Sequence, residues 1–183
     1  MANVDRPNGA TPVRHVMGAD VTANAYNVDA SNGTAIFPGD FMIREADGNV
    51  APYTGTGGGN LIGVCAGIDG DFADLSRSYL PASTAGVVWI YDDPYLTFRC
   101  QTDDVDGSAL TAAAEGANCD VLATAGSTTS QRSRHEIDRS TVNTTTAQLR
   151  LLRLYPIEGN AYGASDEWEV SINEHTLKST TGT

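Results

Sequence analysis

The clearest hydrophobic pattern lies between residues 85 and 102, where apolar side chains recur with a period of two. This period is typical of β-strands. Asp92-Asp93-Pro94 separates two such runs, and aspartate and proline favour a turn there. The first run is apolar on both faces, which predicts a central, covered strand. The pattern therefore predicts a hairpin of two antiparallel strands, with core residues Val87, Trp89, Tyr91, Leu96 and Phe98.

Other apolar runs, bounded by glycine, proline or aspartate, predict more strands within residues 36–43, 50–53, 61–68, 118–122, 147–155 and 168–175. Ser108–Glu115 predicts one short helix, because serine is a favoured cap and Gly116 can end the helix. Residues 124–146 are rich in Ser and Thr and predict a solvent-facing excursion. The predicted fold is mainly β, an antiparallel β-barrel or β-sandwich with one short helix and an extended N-terminal arm.

The predicted arm is the segment 1–35, which has too few apolar residues to bury a core of its own. One interpretation is a disordered tail, and the other is an extended arm that lies on a neighbouring molecule. The segment is locally basic and stiff because it holds Arg6, Pro7, Pro12, Arg14 and His15. Residues 36–178 would then form a β-rich body, and residues 179–183 a flexible tail.

Charge, cysteine content and hydrophobicity argue against several classes of partner. The formal net charge of −12 argues against direct nucleic-acid binding, which needs a basic surface to displace counterions. Cys65, Cys100 and Cys119 are dispersed, which predicts reduced core residues in a protein made in a reducing cytoplasm. No run approaches the roughly 20 apolar residues of a membrane span, so no membrane partner is expected.

No motif predicts catalysis, a metal site or a cofactor. The zinc-protease motif requires a second histidine four residues after the first. Arg139 occupies that position, so His135-Glu136 does not match the motif. The acidic run from Asp103 to Gly107 fails as an EF-hand loop, because Thr102 and Ala113 would occupy its first and last positions. The glycines at 57–59 precede a strand, whereas a phosphate-binding loop precedes a helix. The protein is therefore predicted not to be an enzyme.

Several segments resemble a family of small virion proteins of tailed bacteriophages. They are residues 1–15, residues 81–86 leading into Asp92-Asp93-Pro94, residues 126–138 and residues 168–175. Residues 39–68 also resemble part of the barrel of other phage decoration proteins. The resemblance implies a head decoration, or cement, protein on the outer capsid surface, where it stabilises the shell against internal DNA pressure.

On this hypothesis, the arm residues Arg6, Pro7, Pro12, Arg14 and His15 contact the major capsid protein. The β body would associate with itself, most simply as a homotrimer, with a dimer as the alternative. Residues Leu149–Leu154 support self-association, because their leucines fall on both faces of a strand and need extra cover.

A carbohydrate-binding β-sandwich for host-surface adhesion is the alternative function. Trp89, Tyr91 and Tyr95 would then form an aromatic platform for a sugar ring. Burial in the core is the commoner fate of such residues.

Overall fold

The computed structural model describes residues 3–55, 59–69, 74–104, 110–143 and 145–178. Eleven strands within these ranges form two antiparallel sheets packed together. The predicted mainly β class is confirmed, and the architecture is a sandwich. The strands are β1 (Thr11–His15), β2 (Asn24–Val28), β3 (Phe41–Arg44), β4 (Val50–Pro52), β5 (Leu61–Ile68), β6 (Gly86–Tyr91), β7 (Leu96–Gln101), β8 (Asn118–Leu122), β9 (Glu136–Asn143), β10 (Leu149–Leu154) and β11 (Glu167–Ile172).

Sheet A has the strand order β1-β7-β11-β10-β8-β9, and sheet B has the order β2-β6-β5-β3-β4. The predicted hairpin is wrong, because β6 belongs to sheet B and β7 to sheet A. Residues Asp92–Tyr95 carry the chain from one sheet to the other.

The main core fills the space between the sheets. Leu96, Phe98 and Cys100 of β7 point into it as predicted. They pack with Phe41, Leu61 and Val64 of sheet B and with Trp168, Val170 and Leu151 of sheet A. Alternate residues on each strand thus supply one shared apolar layer.

A second core covers the opposite face of sheet B. It contains Met42, Ile62, Cys65, Val88 and Ile90 from the strands, and it is closed over by Val28 at the end of β2 and by Ile36 and Leu80 from the connections. Val88 and Ile90 are therefore the buried residues of β6. Val87 and Tyr91 are only partly buried and Trp89 is 43% exposed, which corrects the core residues predicted for this strand.

The segment 1–35 is part of both sheets, which corrects the prediction of an arm separate from the body. β1 pairs with β7, and β2 pairs with β6, so each is an edge strand. An edge strand with one wet face needs few apolar residues, which explains the weak sequence signal. Gly9 lies just before β1 and has a positive φ of +67°. An added Cβ there would be 2.3 Å from the Gly39 oxygen, so a larger residue would clash.

Two other predictions need correction. The excursion 124–146 contains β9, an edge strand of sheet A. The predicted helix is reduced to a 3₁₀ turn, Ala112–Ala114, whose amide at Ala113 is capped by the Thr111 hydroxyl. A second 3₁₀ turn covers Thr176–Lys178. Ser108, Gly107, the glycines at 57 and 58, and the predicted tail 179–183 lie outside the described residues.

Candidate interaction surface

The outer side of sheet A is polar and rich in arginine. We call it the arginine face and define it by Arg14 of β1, Arg99 of β7, Arg150 and Arg153 of β10, and the outward residues Thr97, Glu167 and Glu169 between them. The sheet register lines these side chains up in rows, since Arg99 pairs with Glu169 and Glu169 with Arg153. Four arginines thus share this part of the outer side with two glutamates, whereas β8 and β9 carry Asp120, Glu136 and Asp138 at outward positions of the same sheet. The net charge of the whole protein is −12.

Glu169 organises the centre of the face. Its side chain is 0% exposed, yet it lies between two arginines whose side chains are 51% and 50% exposed, Arg14 and Arg153. Oε1 accepts from Arg14 Nε at 2.8 Å and from the Thr97 hydroxyl at 2.9 Å. Oε2 accepts from Arg153 Nε at 2.7 Å, and Arg153 Nη2 lies 2.7 Å from the same oxygen.

The pKa of Glu169 reflects this arrangement. Burial acts to raise the pKa of the carboxyl, but the hydrogen bonds from Arg153, Thr97 and Arg14 outweigh burial and lower it. Glu169 therefore stays ionised at neutral pH and holds both guanidinium groups at fixed positions.

The remaining arginines of the face differ in how tightly they are held. Arg99 pairs with Glu167, and its guanidinium lies 5.3 Å from the centre of the Tyr155 ring. Arg150 is exposed and, within the described residues, makes no side-chain hydrogen bond or ion pair. The face thus combines three arginines that are paired with glutamates and one, Arg150, that has no such partner among the described residues.

Two of the predicted arm contacts, Arg14 and Arg6, lie at or near this face. Arg6 is exposed and lines a cleft of about 350 Å³ between residues 3–6 and 157–160. Gln101 anchors that segment, because its Oε1 accepts from the Arg6 amide and its Nε2 donates to the Val4 oxygen. Pro7 and Pro12 are partly buried.

His15 is buried, which corrects its prediction as a surface contact. Its Nδ1 accepts hydrogen bonds from the amides of Met17 and Ala19, and its Nε2 lies 3.2 Å from Asp93. The side chain therefore shapes the turn after β1 instead of facing a partner.

The predicted aromatic platform is not assembled as three exposed rings. Tyr91 packs against the main core, and Trp89 is 43% exposed on sheet B. Tyr95 is 49% exposed, but Lys178 Nζ lies 5.0 Å from its ring centre. No two of these rings contact each other in the described part of the chain. Carbohydrate binding stays a prediction.

Three buried polar side chains, from Asp40, Ser133 and His135, connect the turn before β3 to the start of β9. Asp40 Oδ2 accepts from the Phe37 amide at 2.7 Å, and the Ser133 side chain also bonds to this carboxylate. Oδ1 makes no hydrogen bond within the described residues and lies 3.6 Å from His135 Nε2. His135 Nδ1 accepts from the Phe41 amide at 3.1 Å, so its proton resides on Nε2.

In a catalytic triad, one imidazole nitrogen donates a hydrogen bond to a carboxylate, which orients the ring. Here His135 Nδ1 accepts a hydrogen bond from a backbone amide instead, so the arrangement differs from a triad. Burial raises the pKa of Asp40 to about 6 and lowers that of His135 to about 4. With its hydrogen bonds to backbone amides, the group fixes local structure. In the sequence, His135 belongs only to an unmatched zinc-protease pattern, and nothing in that pattern links it to Asp40.

Two further sets of residues concern metal and redox chemistry. Asp29, Glu45 and Asp47 place carboxylate oxygens within 4.8 Å of one another on the surface, a cluster the sequence did not predict. Exposed acidic groups of this kind are common without an ion. The three cysteines are buried and unpaired, as predicted.

Comparison with known proteins adds no relative. No protein-family model, curated protein or solved structure matches this chain. Among the described residues, no helix is long and apolar enough to span a membrane.

Sequence reasoning missed most of the arginine face. Only Arg14 was predicted as a contact, whereas Arg99, Arg150, Arg153 and Glu169 were not. The available signal was charge at alternate positions of β7 and β11, where polar residues interleave with Phe98 and Val170. That signal marks an outward face but does not say which strands will lie side by side.

Proposed function

We propose that this protein is a virion structural protein, a head decoration or cement protein that binds the outer surface of a phage capsid through the arginine face. The sequence resemblance supplies the class, and the arginine face carries the proposal. A dense set of arginines on an acidic protein fits an acidic patch on a partner protein. Arginine is also enriched where protein interfaces form.

The rest of the surface favours a specific orientation on the shell. A net charge of −12 repels the protein from other acidic surfaces except where the arginines face them. Complementary charge of this kind speeds association and fixes the orientation of docking. Because such a protein binds only the assembled shell, it stabilises that shell by mass action.

Self-association remains part of the proposal, but it is now supported mainly by multivalent attachment instead of by uncovered apolar residues. Of the apolar residues that motivated self-association, Leu149 and Leu151 are buried within one chain, as are Val88 and Ile90 of β6, whereas Leu152 and Leu154 are partly buried. Multivalent attachment is the stronger argument, because a trimer on a threefold site detaches only when several contacts fail together.

The test is binding to undecorated, DNA-filled heads, measured by co-sedimentation, together with heat release of DNA scored by dye access. The wild-type protein should bind heads, and saturating protein should raise the rupture temperature. Arg150→Glu should weaken binding about tenfold or more, because it reverses an exposed charge on the arginine face. Arg44→Glu is the matched control, since Arg44 is exposed on sheet B.

Three outcomes would contradict the proposal. They are equal rupture temperatures at saturation, equal losses of binding for the two charge reversals, and binding to free genomic DNA instead of heads. Charge-dependent binding should also weaken as salt is raised, because salt screens exposed charges.

A further inference from the structure

The centre of the arginine face contains a specific arrangement of charged side chains. Two half-exposed guanidinium groups, from Arg14 and Arg153, are held by the two oxygens of one fully buried carboxylate, Glu169. The Thr97 hydroxyl donates to the same carboxylate from the strand between β1 and β11. Four strands, β1, β7, β11 and β10, thus converge on one charged group.

Local irregularities in two strands place these arginines. The pairing of β1 with β7 shifts register between Pro12 and Arg14, and the pairing of β10 with β11 shifts between Leu151 and Arg153. Each arginine therefore directly follows an extra residue, Val13 or Leu152. Such bulges re-aim side chains and recur next to functional sites. Here they flank Glu169 from both sides.

The bonds to Glu169 leave donors available for a ligand. Arg14 uses only Nε, so within the described residues both of its Nη groups have no hydrogen-bond partner. Arg153 uses Nε and one hydrogen of Nη2, which leaves the second Nη2 hydrogen and both Nη1 hydrogens as a second fork. Two guanidinium groups around one carboxylate carry a net charge of one positive unit. Their side-chain freedom is already restricted before any ligand binds, which lowers the entropic penalty of binding.

We infer that Arg14 and Arg153, positioned by Glu169, form a clamp for one carboxylate side chain of an acidic residue on the shell protein. This inference rests on the proposed function and names the contact that dominates it. The planar fork of arginine matches a carboxylate with two parallel hydrogen bonds, which lysine cannot reproduce. The clamp thus requires guanidinium geometry as well as positive charge.

The experiment compares charge-preserving substitutions. Arg14→Lys and Arg153→Lys keep the charge and remove the fork, whereas Arg150→Lys makes the same change on the same face outside the clamp. Binding to undecorated heads should fall about tenfold for each clamp variant, mainly through faster dissociation, and change less than about twofold for Arg150→Lys. Melting temperatures establish that every variant is folded.

Equal binding by all three lysine variants and the wild type would overturn the clamp, while leaving attachment through the arginine face in place. If the wild type fails to bind heads, the proposed function fails, and the clamp is judged by titrating the protein with acetate. Saturable shifts of the Arg14 and Arg153 Nε–Hε resonances would support it if Arg14→Lys abolishes the shift of Arg153 and Arg153→Lys abolishes the shift of Arg14. Shifts with inorganic phosphate but none with acetate would overturn the assignment of a carboxylate.

Discussion

The two sheets bury their faces differently. Sheet B is covered on both sides, by the main core on one and by the second core on the other. Sheet A buries one side only and presents the arginine face on the other. This difference follows from the sequences of the strands, since β5 is apolar and buried at consecutive positions whereas apolar residues alternate in β7 and β11. A sheet that is covered on both sides serves as scaffold, and the uncovered side is free to bind.

The same contrast appears in two buried carboxylates. Asp40 beside sheet B is nearly inaccessible, and no arginine or lysine of the described residues pairs with it, so burial raises its pKa to about 6. Glu169 in sheet A is equally inaccessible, but two arginines and a hydroxyl hold its pKa down. Burial alone therefore does not decide the charge of a carboxyl, because its partners do.

The largest expected effect tests whether both sheets depend on the N-terminal segment. Deleting residues 1–28 removes β1 from sheet A and β2 from sheet B, and it exposes apolar residues such as Val88, which shares the second core with Val28 of β2. We expect the truncated protein to be unfolded or to melt at least about 10 °C lower, as judged by circular dichroism. Met17→Ser, at an exposed position, should change stability by less than about 0.5 kcal/mol. A truncated protein that melts within a few degrees of the full chain would restore the separate arm.

The second prediction compares the outer faces of the two sheets directly. Ile62 is 0% exposed on the outer side of sheet B, so Ile62→Ala should lower the free energy of unfolding by about 2–5 kcal/mol. Ser171 is on the outer side of sheet A, and Ser171→Ala should change it by less than about 0.5 kcal/mol. Urea unfolding measures both. Similar losses would mean that the two outer faces are buried alike.

The third prediction uses the two carboxylates. The folded pKa of Asp40, about 6, lies above its unfolded value of about 3.9, so its contribution to stability is full below the unfolded pKa and is lost as pH rises through 6. The wild type should therefore lose up to about 3 kcal/mol relative to Asp40→Asn between pH 4 and pH 7. Comparison with the variant cancels the opposite contribution of His135, whose pKa is lowered by burial to about 4.

Glu169→Gln should show the opposite slope. The folded pKa of Glu169 is lowered, so its stabilising contribution is present above the unfolded pKa and is lost as pH falls. Urea unfolding at several pH values measures both variants against the wild type. Parallel pH profiles for Asp40→Asn and Glu169→Gln would contradict the contrast between the two carboxylates.

The sequence alone determined the strand-rich class and much of the inward and outward alternation. Leu96, Phe98 and Cys100 were predicted to be buried and are, because a period of two is a local property of an extended chain. The weak strands β1, β2 and β9 escaped notice, because an edge strand with a wet face carries little apolar signal. Their place in the sheets depends on partners far away in the chain.

Tertiary structure alone decided which strands lie side by side. The turn at Asp92-Asp93-Pro94 predicts a hairpin locally, but β6 pairs with β2 and β5 whereas β7 pairs with β1 and β11, so the two strands belong to different sheets. Arg14 and Glu169 are 155 residues apart and share a hydrogen bond only because β7 lies between their strands. Alternation along a strand is encoded by neighbouring residues, whereas the arginine face results from the order of strands, which depends on the packing of the whole chain.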